Sequence, residues 1–297
     1  MDWDETRQFL APCFPEHIRC ELDMLLPGEL REIRLRACRE TVFVTGTRTA
    51  ALPFSPSAQE LEAITEALSE HSLYARTDET GQGYCTLRGG HRMGLCGRMV
   101  HPGKEPVLTA LGSACIRIAA EWPGCADPLM ETLSAVPSML IIGIPGSGKT
   151  TLLRDVARQL ASGRKARQVS LVDERGELAA CVNGIPQLDV GSMTDVLTGM
   201  GKSEAIPRLV RAMSPQVIIT DELNGEADAA AILDAAACGV SVCASVHGAS
   251  LQDAASRPVI AQLMRRRIFA LYAVLAPEGG GRIASLHDRS GNPLLCP

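Results

Sequence analysis

A glycine-rich segment near the middle of the chain carries the strongest chemical signal. Every position of the pattern G-x-x-x-x-G-K-[S/T] is matched by Gly143, Ile144, Pro145, Gly146, Ser147, Gly148, Lys149 and Thr150, and Thr151 follows directly. In such a loop the backbone N–H groups surround phosphate oxygens, the lysine reaches the β- and γ-phosphates, and the hydroxyl ligates Mg²⁺. The segment therefore predicts a site for Mg²⁺ and ATP, with Thr150 on the metal.

The residues on either side of this loop support the same interpretation. The apolar run Met139–Ile142 precedes it as a short strand, and apolar residues recur at helical spacing from Leu152 to Leu160. Strand, loop and helix in this order place the loop at a helix N-terminus, whose partial positive charge favours phosphate. The alternative is a glycine-rich turn that binds no ligand, but such a turn would not require a strand before it and a helix after it.

Two acids follow another apolar strand. Residues 215–220 lead into Asp221 and Glu222. In P-loop enzymes an aspartate at this place holds Mg²⁺, and a neighbouring glutamate can orient and deprotonate the attacking water. Paired acids after a strand can also cap a following helix. The upstream phosphate loop favours the catalytic interpretation over the helix cap. We therefore expect Asp221 to hold Mg²⁺ and expect Glu222 and Lys149 to be catalytic residues.

Two further strands end in polar residues. Residues 169–172 run into Asp173 and Glu174, and residues 240–246 run into His247. Open α/β sheets bind ligands at the carboxyl ends of their strands. From a strand between those of the phosphate loop and Asp221, His247 could donate a hydrogen bond to the γ-phosphate, although a single histidine is more often structural. Asp173 and Glu174 are further catalytic candidates.

The pattern of the chain changes where Pro and Gly interrupt it at residues 121–128. Short alternating strands, a helix near residues 61–68 and a Gly/Arg-rich segment come before this break. After it, strands alternate with helices, which is typical of a parallel sheet. We predict a small α+β domain over residues 1–125 and an α/β P-loop core over residues 126–297, with a peripheral hairpin around Gly279–Gly281.

Composition restricts the remaining possibilities. The net charge of −5 argues against a strongly basic nucleic-acid surface. No apolar run reaches the roughly 18 residues of a membrane-spanning helix, and the acidic first residues do not form an export signal. The 11 cysteines include no CxxC pair, which favours reduced, buried thiols over disulfides or zinc. We therefore expect a cytoplasmic location.

Four segments in order, GIPGSGKTT, LVDERGEL, PQVIITDEL and ASVHG, resemble the secretion-ATPase branch of the P-loop enzymes. The likeness is closer still to the stage III sporulation ATPases, and it extends to EIRLR, GYCTLRGGHRMGLCGR and IRIA. This resemblance implies a homo-oligomeric ring, a hexamer, that associates peripherally with a membrane. The implied partners are membrane-embedded channel or secretion proteins between mother cell and forespore.

The resemblance also implies arginines that reach a neighbouring subunit's phosphates. Secretion ATPases supply them from the N-terminal domain and from a position shortly before the second acidic strand. Comparable segments here contain Arg88, Arg92, Arg98, Arg117 and Arg211. The acidic segment reads DERGE, unlike the common secretion-ATPase pattern, which leaves the roles of Glu174 and Glu177 open.

Two other classes of ATP-using protein are compatible with the phosphate loop. A nucleic-acid motor is suggested by Arg88, His91, Arg92, Arg98 and residues 265–267, but aromatic residues make up only 3% of the chain and offer few platforms for base stacking. A small-molecule kinase would need an acceptor pocket and a lid. Glu222 beside Asp221 favours activation of water instead.

Overall fold

The computed structural model describes residues 2–72, 77–101, 106–131 and 138–294. The chain divides into two compact units. Unit 1 comprises Met1–Ala120 together with Ala180–Leu188, and unit 2 comprises Glu121–Ala179 together with Asp189–Pro297. No sequence pattern indicated that residues 180–188 return to the first unit.

Unit 1 is a mixed α+β structure built on one antiparallel sheet. Its elements are α1 (Trp3–Leu10), α2 (Glu16–Asp23), β1 (Leu30–Arg36), β2 (Arg39–Thr45), β3 (Thr49–Leu52), α3 (Ala58–Leu68), α4 (Thr77–Gly81), β4 (Tyr84–Thr86), β5 (Arg92–Val100) and β6 (Val107–Arg117). The strand order is β3-β2-β1-β6-β5-β4, and all neighbouring strands are antiparallel.

Alternation along the strands separates the two faces of this sheet. In β1, Ile33 and Leu35 are fully buried, whereas Arg34 and Arg36 lie on the opposite, partly exposed face. Helix α3 begins at a capping box in which Ser57 and Glu60 satisfy each other's backbone N–H groups. Each fully buried leucine or isoleucine contributes about 1.5–3 kcal/mol through the hydrophobic effect. The predicted strands and helix are confirmed here.

Unit 2 is an α/β structure. Its elements are α5 (Asp127–Glu131), β7 (Met139–Gly143), α6 (Lys149–Leu160), β8 (Val169–Asp173), β9 (Thr194–Thr198), α7 (Lys202–Met213), β10 (Val217–Glu222), α8 (Glu226–Ala237), β11 (Ser241–His247), α9 (Leu251–Ala255), α10 (Pro258–Arg265), β12 (Leu271–Leu275), β13 (Ile283–Asp288) and β14 (Pro293–Leu294). The strand order is β14-β13-β12-β7-β11-β10-β8-β9. Strands β12 to β9 in this order are parallel, which confirms the predicted fold class.

The central strands are apolar because both faces of the sheet are covered. Every residue of β7 and β8 is buried. Strand β11 lies between β7 and β10, so the ends of the three strands that carry the candidate residues are neighbours at one edge of the sheet. The fold thus brings residues far apart in sequence to one place.

The predicted peripheral hairpin near the end of the chain is confirmed, because β12 and β13 lie toward one end of the sheet of unit 2. Strands β12 and β13 pair antiparallel, and β12 also pairs in parallel with β7. The sequence pattern shows that two strands form a hairpin, whereas their place in the sheet depends on long-range pairing. As a result, the turn at Gly279–Gly281 lies next to the phosphate loop.

The prediction of buried thiols is also wrong for several positions. Cys20, Cys38, Cys96 and Cys238 are exposed, and the described part of the chain contains no disulfide. Cys243 is buried within β11, and this burial raises the pKa of its thiol to about 12. Among the described helices, none is both long and apolar enough to cross a membrane.

Candidate nucleotide-binding site

The phosphate loop connects β7 to α6, and its conformation requires glycine at key positions. Gly146 and Gly148 have φ angles of 80° and 94°, which residues other than glycine rarely adopt. A Cβ atom on Gly148 would also collide with the backbone nitrogen of Gly281. The Gly281 N–H donates to the Ser147 carbonyl oxygen at 3.0 Å, so the hairpin turn supports the loop directly.

Lys149 folds over its own loop. Its Nζ donates to the carbonyl oxygens of Gly143 at 2.8 Å and Ile144 at 3.1 Å. The side chain is buried, and this burial lowers its pKa, while the charge of Glu222 opposes the shift. A buried ammonium surrounded by acceptors can exchange these carbonyl contacts for phosphate oxygens.

A single imidazole connects Lys149 to Glu222, the proposed catalytic base. Lys149 Nζ lies 3.1 Å from His247 Nδ1, and His247 Nε2 lies 2.9 Å from Glu222 Oε2. Because an ammonium can only donate, Nδ1 accepts and the ring proton resides on Nε2, from which it is donated to Glu222. Strand register produces this arrangement, since His247 is paired with Gly143 across β11 and β7.

Asp221 is paired with a lysine that sequence reasoning missed. Lys202 Nζ lies 2.6 Å from Asp221 Oδ1 and 2.7 Å from Glu174 Oε2, and the lysine side chain is only 2% exposed. Burial raises the pKa of Asp221, and the lysine opposes this shift. Burial would lower the pKa of Lys202, but its bonds to the two carboxylates raise the pKa above its usual value. The ammonium form is therefore favoured.

A weak signal for Lys202 exists in the sequence. The lysine follows Gly199-Met200-Gly201 and begins α7. Positive side chains are disfavoured at helix N-termini because the helix dipole is positive there. A lysine at such a position therefore indicates a specific acidic partner elsewhere in the fold.

Asp173 has a structural role, which corrects its selection as a catalytic candidate. Its Oδ1 accepts from the N–H groups of Glu177 and Leu178 at 2.8 and 3.1 Å, and its Oδ2 accepts from Ala179 at 2.8 Å. The carboxylate is fully buried. These bonds fix the chain after β8 and leave Asp173 turned toward backbone rather than toward a ligand.

The residues of this site fit Mg²⁺ and a nucleotide. The Thr150 hydroxyl and the Asp221 carboxylate supply oxygen ligands of the type that Mg²⁺ prefers. Thr150 lies in the first turn of α6 directly after the loop, and Asp221 lies at the carboxyl end of β10. Ser147 is fully buried, and its Oγ has no hydrogen-bond partner among the described residues. Pro145 and Gly146 are exposed on the loop, and Thr151 is half-buried in the first turn of α6.

The candidate arginines of the N-terminal region all lie in unit 1. Arg88 and Arg98 are exposed, and within the described ranges neither forms an ion pair. The Arg92 guanidinium lies 3.9 Å from the ring centroid of Tyr84, a cation–π contact. Arg117 Nε lies 3.6 Å from Glu32 Oε1.

Two other basic residues are Arg211, which lies in unit 2, and His91, which is buried. Arg211 is exposed on α7, and its Nε donates to the Pro207 carbonyl oxygen at 3.2 Å. His91 is only 1% exposed, so it does not belong to a basic surface that could contact nucleic acid. This burial removes one of the residues that suggested a nucleic-acid motor.

Comparison with known proteins identifies close relatives by sequence. Residues 13–294 match the family model described as sporulation stage III, protein AA. Stage III sporulation protein AA of Bacillus subtilis (strain 168) is 38% identical over 273 residues, which cover 90% of this chain and 89% of that protein. The protein SEEDLING PLASTID DEVELOPMENT 1 of Arabidopsis thaliana is 30% identical over 153 residues, which cover 51% of this chain and 22% of that protein.

Solved structures with the same fold include an ATPase and a pilus retraction motor. The ATPase DotB of Yersinia pseudotuberculosis aligns with a TM-score of 0.58 at 13% identity, covering 95% of this chain and 78% of that one. The pilus retraction motor PilT with bound ADP aligns with a TM-score of 0.56 at 14% identity, covering 82% and 74%. These likenesses establish that the chain shares its fold with DotB and PilT. The sequence matches establish that it belongs to the sporulation stage III protein AA family.

Proposed function

We propose that this protein is a Mg²⁺-dependent ATPase of the secretion type that acts in sporulation. The observation that carries this proposal is the contact chain Lys149–His247–Glu222 at the carboxyl edge of the sheet. It joins the lysine of a phosphate loop to a carboxylate that has Asp221 as its neighbour in sequence. A binding site for phosphate alone would not require a base in this position.

The chain's own residues supply most of the proposed mechanism. The loop N–H groups and Lys149 bind the phosphates, and Lys149 gives up its contacts to Gly143 and Ile144 in doing so. Glu222 accepts a proton from the attacking water, and His247 orients the carboxylate through Nε2. Thr150 and Asp221 would hold Mg²⁺, which neutralises charge on the β- and γ-phosphates.

We further propose that the active form is a ring of identical subunits, six as the family resemblance implies. A head-to-tail contact that closes on itself produces such rings. Arg88 and Arg98 support this proposal because they are exposed and, among the described residues, have no acidic partner. An arginine from a neighbouring subunit can stabilise negative charge on the transferring phosphoryl group.

The proposed cellular role follows from the relatives. The family and the Bacillus subtilis relative are both named for sporulation stage III, DotB is an ATPase, and PilT is a pilus retraction motor. We therefore propose that the ring sits on the cytoplasmic side of a membrane-embedded channel or secretion complex between mother cell and forespore. ATP hydrolysis would power or assemble that complex.

The test of the proposed reaction is product analysis with the full chain. Incubation with γ-labelled ATP and Mg²⁺ is expected to yield free phosphate, and chelation of Mg²⁺ is expected to abolish it. Label in a phosphorylated small molecule would support a kinase instead. Absence of any turnover in concentrated, assembled protein would contradict the proposal.

A further inference from the structure

Lys202 is a buried, paired cation next to the proposed metal site. Its ammonium lies 2.6 Å from Asp221 and 2.7 Å from Glu174, and the side chain is 2% exposed. The two acids come from different strands, since Asp221 belongs to β10 and Glu174 follows β8. One cation thus bridges the two acidic segments that the sequence places at the sheet edge.

The position of this lysine has an electrostatic cost that the two acids offset. Lys202 is the first residue of α7, where the helix dipole opposes a positive charge. Removing a lysine from water is unfavourable unless it is paired and hydrogen-bonded. Asp173 is not available for this purpose, because its oxygens accept three backbone N–H bonds. Lys202 is therefore held by Asp221 and Glu174.

We propose that Lys202 is a tethered counterion for Asp221 that prevents a free divalent cation from binding there, so that the metal enters only together with nucleotide phosphates. This inference rests on the proposed function, in which Asp221 serves Mg²⁺. It also assigns a role to Glu174, which holds the ammonium from its other side.

The physical basis is competition between cations for one carboxylate. With Lys202 present, a divalent ion approaching Asp221 meets a positive charge in direct contact with that group. Nucleotide phosphates bring additional negative charge, which changes this balance in favour of the metal. Without the lysine charge, Asp221 and Glu174 form an uncompensated acidic pair that attracts divalent cations on its own.

The experiment is a titration of the nucleotide-free full chain with Mn²⁺, in which free Mn²⁺ is followed by electron paramagnetic resonance. Wild-type protein, Lys202→Met and Lys202→Arg are compared. We expect the Met variant to bind one Mn²⁺ on the order of tenfold or more tightly than wild type. The Arg variant keeps the charge and should resemble wild type.

Thermal unfolding of the same proteins gives a second measurement. Mn²⁺ should raise the melting temperature of Lys202→Met much more than that of wild type, because it binds the folded state of the variant. If Lys202 had only a structural role, its replacement would lower the melting temperature equally with and without Mn²⁺. If Lys202→Met does not fold, Lys202→Gln serves instead, since it removes the charge but keeps a hydrogen-bond donor for Asp221.

Two results would overturn the inference. One is equal Mn²⁺ affinity in wild type and the charge-removing variant; the other is tight Mn²⁺ binding that persists when Lys202→Met is combined with Asp221→Asn. Binding of labelled ATP to wild type is measured separately. If wild type does not bind ATP, the proposed function is contradicted. If wild type binds ATP and the charge-removing variant has the same Mn²⁺ affinity as wild type, only the proposed role of Lys202 is contradicted.

Discussion

His247 Nε2 lies 2.9 Å from Glu222 Oε2, while Nδ1 of the same ring lies 3.1 Å from Lys149 Nζ. The orientation of the proposed base is therefore coupled to the position of the phosphate-binding lysine. When Lys149 moves to phosphate, the acceptor Nδ1 loses its donor, but Nε2 can still hold Glu222. We therefore propose that His247 positions Glu222, and that its contacts to Glu222 and Lys149 can be separated.

The two contacts of His247 can be tested with two amide substitutions. Glutamine can place its NH₂ group near the position of Nε2, whereas asparagine reaches only the position of Nδ1. We expect His247→Gln to keep more of the wild-type kcat than His247→Asn, which should lose about tenfold or more. KM for ATP should change less than kcat in both. Equal kcat values for wild type and His247→Asn would exclude a positioning role.

The close packing of the hairpin turn on the phosphate loop predicts a specific effect of Gly148→Ala. The new Cβ would meet Gly281, so the loop must move, and ATP affinity should fall at least about tenfold. Gly163→Ala is the matched control, because Gly163 also has a positive φ, 80°, but nothing lies near its Cβ position. The control should lose about 1–2 kcal/mol of stability and keep its ATP affinity. Similar ATP affinities in the two variants would contradict the packing argument.

The buried His91 predicts a loss of stability in mild acid. Burial lowers its pKa to about 4, whereas the unfolded chain has a value near 6.5. Well above pH 6.5 the ring is neutral in both the folded and the unfolded state, so His91 does not change the free energy of unfolding. As the pH falls toward 4, the unfolded state binds a proton that the folded state does not bind. The free energy of unfolding should therefore fall by about 2 kcal/mol between pH 7.5 and 5 from this group alone.

Denaturant unfolding of wild type and His91→Asn at both pH values measures this contribution. His91 Nδ1 accepts from the Ala119 N–H at 3.0 Å. Asparagine removes the titrating group, and its carbonyl oxygen can take the position of Nδ1 and accept the same bond. The pH-dependent decrease should be smaller in the variant than in wild type. The same decrease in both proteins would show that His91 does not titrate as described.

Sharing of sites between subunits predicts that specific activity rises with protein concentration. Mixing subunits that carry Arg88→Ala or Arg98→Ala with Glu222→Gln subunits should restore activity, because an intact base in one subunit can meet an intact arginine from its neighbour. Matched controls are Arg265→Ala and Arg266→Ala, whose arginines are exposed near the end of α10. Activity per site that is independent of concentration, without restoration on mixing, would contradict a shared site.

Local patterns in the sequence were sufficient for much of the fold. The phosphate loop, its flanking strand and helix, and the acidic strand end at Asp221 follow from short-range spacing. The return of residues 180–188 to unit 1 and the pairing of β12 with β7 depend on long-range packing, which no local pattern encodes.

The candidate site shows the same division. Lys149, Glu222 and His247 could be proposed from motifs, but their contact chain depends on strand order and register. Asp173 and Asp221 both lie at the carboxyl ends of buried strands, and the sequence made Asp173 a catalytic candidate and Asp221 a Mg²⁺ ligand. Only the backbone geometry after β8 distinguishes them, and only the packing of α7 brings Lys202 to Asp221.

The central claim is hydrolysis of ATP at the phosphate loop with Glu222 as the base. Its most direct test measures phosphate release and labelled-ATP binding together for wild type, Lys149→Ala and Glu222→Gln. We expect Lys149→Ala to lose tight ATP binding, since it removes a positive charge from the triphosphate, and Glu222→Gln to bind ATP but release phosphate at least about a hundredfold more slowly. Phosphate release at the wild-type rate by both variants would contradict the account.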